Sequence, residues 1–129
     1  MESIPAGNVE FRVETREGRD DGGPSIRVQT TDGGEDVQLL RFDCFRTRPH
    51  YHYAPDNKSS RSEYNIDPTV VSDSLGWAIS QLRTNLGAMV DRAGYPSVAQ
   101  KLDQSAVTAG LTKVEAHFLG AKASATPSP

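Results

Sequence analysis

Cysteine is nearly absent from this chain. Cys44 stands alone among 129 residues, which excludes a disulfide within the chain and a zinc cage built on several thiolates. Long apolar runs are missing too. No stretch approaches the roughly 18 residues that a membrane-crossing helix needs. Apolar residues make up 36% of the chain, enough for one modest core that a partner chain could help to cover. The opening Met1-Glu2-Ser3-Ile4-Pro5 has neither the basic nor the apolar segment of a secretory signal. A phosphate-binding loop, a Gly-x-Ser-x-Gly elbow and a dinucleotide fingerprint are all lacking. These absences describe a cytoplasmic domain with no membrane contact.

Positive charge is in deficit, with a net charge of −3, and that argues against nucleic acid as a partner. The deficit is uneven. Residues 1–40 hold nine acids against four bases, residues 65–129 hold five of each, and residues 41–64 hold five bases against three acids. The one locally basic segment contains the run Arg46-Thr47-Arg48-Pro49-His50-Tyr51-His52-Tyr53, with two of the three histidines and two of the four tyrosines.

The first half of the chain has strand periodicity. Val9, Phe11 and Val13 alternate with charged residues, and Ile26 and Val28 repeat the pattern. Glu17 to Pro24 and Thr31-Asp32-Gly33-Gly34 are turns between them. In a third strand the apolar parity switches at Leu39-Leu40, which predicts a bulge or burial on both faces. Pro49 ends that ladder. His50–Tyr53 opens a fourth strand, 54–60 is a loop, and Glu63–Ile66 is a short return strand.

The second half has helical periodicity. Asp67-Pro68 is a start signal for a helix to about Arg92, with a stripe at Val71, Leu75, Ala78, Ile79, Leu82, Leu86, Met89 and Val90. Gly76 within it suggests close approach to the sheet beside Trp77, and Gly94 is a natural stop. Ser97 opens a further helix. It either breaks at Ala109-Gly110, with a second start at Thr112, or continues through Gly110. Residues 121–129 lack core-forming side chains and are expected to be a disordered tail.

The predicted fold is α+β: an antiparallel meander of four to five strands over about residues 8–66, covered on one face by a long helix and one or two shorter C-terminal helices over about 68–120. Residues 1–120 form one domain. Leu40, Phe42 and Cys44 on one face, and Leu39 and Phe45 on the other, give both faces apolar content. A homodimer through the open sheet face, or through the C-terminal helices, follows from that.

On a strand, period two sends His50 and His52 to one face and Tyr51 and Tyr53 to the other. Two imidazoles on one face are a metal edge, which needs a third ligand and an open position. Asp56, Glu63 and His117 are the available candidates, Asp56 first. His50, His52 and Asp56 resemble the first motif of cupins over seven residues. The preceding glycine and the second motif are missing and the chain turns helical, so no cupin barrel is expected.

Tyr51, Tyr53 and Tyr64, with Arg46 or Arg48, would suit a planar or anionic ligand or a flat protein surface, unless the rings pack beneath the long helix around Trp77. Asp43 is placed to pair with Arg41 or Arg48. Cys44 belongs to the apolar face. His117 reads as structural, and the helices at 97–119 offer only Lys113 as a base toward DNA.

The leading functional reading is a small non-enzymatic binding or assembly module that uses residues 46–64, without a cofactor and with itself or another protein as partner. The runner-up is an enzyme dependent on a divalent transition metal at His50/His52, which calls for a pocket between the fourth strand and the long helix. A third class, an acyl-type enzyme using Cys44, requires an exposed thiol.

Overall fold

A computed structural model describes residues 1–32, 34–56 and 62–125. Among them are six strands in one sheet: β1 (Glu2–Ala6), β2 (Val9–Glu17), β3 (Gly22–Asp32), β4 (Glu35–Asp43), β5 (His50–Tyr53) and β6 (Ser62–Asn65). They lie side by side in chain order, every neighbour antiparallel. Helices α1 (Ser74–Arg92), α2 (Pro96–Gln100) and α3 (Gln104–Ala125) follow. The fold is α+β, with one strand more than the alternation predicts. The additional strand is β1, whose Pro5 disguises it. Proline is tolerated there because β1 is an edge of the sheet.

Register settles which side chains share a face. Ile4 and Ala6 oppose Phe11 and Val9, Phe11 opposes Val28, and Val13 opposes Ile26. Val28 opposes Leu40, Ile26 opposes Phe42, and these lead on to Tyr53 and Tyr51. This face carries the core. Phe11, Val13, Ile26, Val28, Leu40 and Phe42 are fully buried, and burial of each such side chain contributes about 1.5–3 kcal/mol. α3 lies over β1 and β2, and α1 lies over β4 and β5. The ladder slips between Val28 and Gln29, so β4 carries one extra residue at Leu39. This is the bulge predicted from the parity switch, and it lets the consecutive Leu39 and Leu40 both be buried.

The helices begin and end differently from expectation at three places. Asp67 does start a turn, accepting from the Thr69 amide and hydroxyl, but that turn does not propagate. Thr69, Val70 and Val71 are β-branched and poor helix formers. The helix starts instead at Ser74, with Asp73 as its cap accepting from the Gly76 amide. Gly76 therefore belongs to the cap and does not approach the sheet: a Cβ there would collide with the Asp73 carboxylate. The second difference is at the C-terminal helices, where the break falls at 101–103 and α3 runs unbroken through Gly110. Gly110 is where α3 meets the sheet, since a Cβ there would sit 3.1 Å from the Ala6 Cβ and 3.2 Å from the Phe11 ring. The third is the C-terminus. Helix α3 reaches Ala125, so only 126–129 of the expected tail lie outside the described residues, as do Gly33 of the β3–β4 turn and 57–61 of the β5–β6 loop.

The other face of the sheet is polar, contrary to the apolar content expected from Leu39 and Phe45. Leu39 is drawn into the core by the bulge. In its place the register lines up Arg12, Arg27, Arg41, His52 and Glu63 in one row, and Glu14, Ser25, Asp43, His50 and Asn65 in the next. Leu39 therefore adds no apolar surface to this face, and Phe45 stands beside His50 at its end.

Candidate functional site

The two histidines lie on the polar face and the tyrosines on the helix face, as period two requires. Strand pairing then does what sequence spacing does not reveal. Residues 44–49 return the chain so that Asp43, the last residue of β4, opposes His50, the first of β5. Asp43, His50 and His52 each offer one ligand atom, and these atoms lie within 4.8 Å of one another. The Asp43 Oδ2 is 3.1 Å from His50 Nε2 and 3.5 Å from His52 Nε2. Glu63 stands at the rim, 3.6 Å from His52 Nε2.

Asp43 is only 1% exposed, although it lies on the polar face. Its carboxylate is fully engaged: Ser25 Oγ donates to Oδ1 at 2.9 Å and Arg41 Nε to Oδ2 at 3.1 Å, with Arg16 at 3.9 Å. Burial pushes its pKa up, but the His50 hydrogen bond, the Arg41 charge and Ser25 outweigh burial and hold it at about 2. Asp43 is thus a carboxylate at every physiological pH.

The two imidazoles are in different states. His50 Nδ1 lies 2.8 Å from the Arg48 carbonyl oxygen. A carbonyl can only accept, so Nδ1 carries a proton and Nε2 is the atom turned toward Asp43. With Nδ1 protonated, a second proton on Nε2 meets the Asp43 carboxylate 3.1 Å away, so Asp43 favours the imidazolium form of His50 and raises its pKa against the opposing effect of burial. His52 is the opposite case. Arg41 Nη2 is 3.2 Å from His52 Nε2, and a guanidinium only donates, so that nitrogen accepts and the ring is neutral. Burial, the Arg41 charge and the neighbouring His50 all lower its pKa.

The connection that aims His50 is itself pinned. The Asp21 carboxylate, in the β2–β3 turn, accepts from the Gly22, Thr47 and Arg48 amides at 2.8–3.0 Å. The Arg48 peptide is held there, and its carbonyl in turn orients the imidazole. Phe45 packs edge-on against the His50 ring with centroids 5.5 Å apart.

The other residues singled out in the sequence separate into distinct places. Asp56 is outside the cluster and accepts from Gln38 Nε2, and the carboxylate beside the two histidines is that of Asp43. Tyr51 stacks on Phe42 and Tyr64 and touches Trp77, with centroids 5.4–5.5 Å apart. Arg92 of α1 lies 4.9 Å over Tyr53 and 5.0 Å over Tyr64 and donates to the Tyr64 hydroxyl. The three tyrosines thus pack beneath the long helix around Trp77. Arg46 pairs with the exposed Glu17, and Arg48 enters the site through its backbone. A cleft of about 220 Å³ between β5, the end of β6 and the start of α1 is lined by Tyr51, Asn65, Ile66, Val70 and Trp77, with neither histidine in its lining. His117 bonds Glu2 and joins α3 to β1. Burial pushes the Cys44 thiol up to about 12, so it stays protonated and inert as a nucleophile.

No helix among the described residues is long and apolar enough to cross a membrane. No curated protein and no solved structure matches the chain. A family model does match, over residues 3–118, and the chain belongs to that family, described as Domain of unknown function (DUF7700).

Proposed function

We propose that this protein is a small binding module that takes one divalent transition-metal ion at Asp43, His50 and His52. Two imidazoles and one carboxylate form a donor set suited to a first-row ion such as Zn²⁺, Fe²⁺ or Ni²⁺, with coordination positions left open. The observation that carries the reading is the orientation of His50. Its Nδ1–H is anchored on a backbone carbonyl, the usual outer contact of a metal-bound histidine, and its Nε2 faces a buried carboxylate and a second Nε2. A bound ion would be held by Asp43 Oδ2 and the Nε2 atoms of His50 and His52, where it would replace a proton on His50 Nε2 and compete with the Arg41 contact to His52 Nε2.

Binding fits the surroundings better than catalysis does. All three ligands stand on paired strands of a sheet, while the cleft beside β5 has none of Asp43, His50 and His52 in its lining. A cytoplasmic setting and action through a bound ligand or partner complete the proposal. Its test is calorimetric titration of tag-free protein with ZnCl₂ and NiCl₂. One equivalent bound by the wild type, and none by His50→Ala/His52→Ala, is the expected result. Uptake unchanged in that variant overturns the assignment.

A further inference from the structure

We infer that the polar face also holds a site for a small oxyanion, a carboxylate or phosphate group clamped by Arg27 and Arg41 beside Asp43. The arginine row is present without any metal, so the inference stands apart from the metal reading. Arg12, Arg27 and Arg41 face one another directly across β2, β3 and β4. Like charges so opposed destabilise a sheet unless something neutralises them.

The three are not neutralised equally. Arg12 is satisfied by Glu10 and Asp36, at 2.9 and 3.0 Å. Among the described residues Arg27 has only Glu14, at 3.6 Å, and its Nε is buried with no hydrogen-bond partner. Arg41 shares the single Asp43 carboxylate with Arg16, His50 and His52. Around Asp43, then, the Arg41 and Arg16 guanidiniums share one buried carboxylate, with Glu63 farther out at the rim beside His52. Arg27 and Arg41 remain about one-quarter exposed, so an incoming anion can reach them. Guanidinium forks bind carboxylate and phosphate oxygens in pairs, and Arg27 and Arg41 rise from directly opposed positions on strands whose backbones are roughly 5 Å apart, so two flexible forks can converge on one such group. Where a metal occupies the adjacent ligands, the excess positive charge increases and the same anion gains a second anchor.

The experiment is titration of chelator-treated protein with inorganic phosphate and with succinate, against sodium chloride at equal ionic strength, followed by calorimetry and thermal unfolding. Each titration is repeated after one equivalent of ZnCl₂. The proposal expects saturable binding in the metal-free protein that raises Tm beyond the chloride control. Arg27→Gln and Arg41→Gln should each weaken it roughly tenfold or more, while Lys113→Gln on α3 leaves it unchanged. The stronger of the two probes identifies the group as phosphate or carboxylate. Arg27→Gln is the decisive variant, because it touches no proposed metal ligand. Binding seen only with zinc and indifferent to Arg27→Gln would assign the anion to the metal alone and overturn the arginine site. A response no greater than that to chloride would overturn it as charge screening. Neither result bears on zinc uptake, which is read separately in the same samples.

Discussion

Replacing Asp43 by Asn tests the electrostatic account of the site, because the change preserves shape and removes one charge. In the native protein that charge is 1% exposed and is met by Ser25, Arg41 and His50. Its pKa falls from an ordinary 3.8 to about 2, which corresponds to about 2 kcal/mol of stability carried by the ionised form. The variant loses that and leaves Arg41 and an imidazolium facing an amide, for which the upper range is about 3–5 kcal/mol. His50 can relieve part of the penalty by releasing its proton. The expected loss is therefore about 2–4 kcal/mol at pH 6 and distinctly less at pH 8, where His50 in the variant is neutral. Urea unfolding of metal-free wild type and variant at both pH values gives the numbers. A loss below about 0.5 kcal/mol at pH 6, or one independent of pH, would refute the argument that Asp43 is a buried carboxylate sustained by these cations.

Three further outcomes follow from the same geometry. The folded-state pKa of His50 is raised, so its contribution is complete below 6.5 and disappears as pH rises through the higher folded value; Asp43 behaves inversely, losing its contribution as pH falls from 3.8 through about 2. The joint contribution of these two groups should therefore be greatest between about pH 4 and 6.5, offset in part below 6.5 by His52, whose folded-state pKa is lowered, and zinc binding at pH 6.5 should release protons, counted by calorimetry in buffers of different ionisation enthalpy; zero protons released would contradict a proton on His50 Nε2. Asp21→Ala removes no proposed ligand but frees the Thr47 and Arg48 amides, so zinc affinity should fall roughly tenfold with the circular dichroism spectrum retained, and unchanged affinity would remove Asp21 from the positioning chain. Gly110→Leu should destabilise by about 1–3 kcal/mol or more in thermal unfolding, because α3 has no room above Ala6 and Phe11, and a neutral result would mean that the helix does not pack there.

The sheet was legible wherever one face is buried and the other is not. Val9, Phe11, Val13, Ile26 and Val28 alternate cleanly, and even the Leu39 bulge left its mark as a shift of parity. β1 escaped notice because Pro5 is permissible only on an edge strand, and sequence does not say which strand is an edge. Its available signal was Ile4 and Ala6 alternating before Gly7-Asn8, where Gly7 turns the hairpin with φ +73°. The false start of α1 at Asp67 has a comparable origin: two aspartates could cap, and β-branched residues after the first decide against it.

The site was half legible. His50 and His52 on one face, opposite Tyr51 and Tyr53, needed only the period of a strand. The carboxylate beside them, Asp43, required the register between β4 and β5, which depends on the path of 44–49 and on the Asp21 anchor, neither of which has a local signature. Asp56 is close to the histidines in sequence, whereas Asp43 is close across the ladder. The arginine row was hidden for the same reason, since Arg12, Arg27 and Arg41 are scattered along the chain and aligned only by pairing.

The most direct measurement is elemental analysis of purified, tag-free protein before and after chelation, alongside Asp43→Asn and His50→Ala/His52→Ala. Near one equivalent of zinc, iron or nickel in the wild type, removed by chelation, restored on titration and missing from both variants, is the predicted result. No metal in the wild type and no uptake on titration, or retention of metal by the Asp43 and histidine variants, would contradict a centre built from Asp43, His50 and His52.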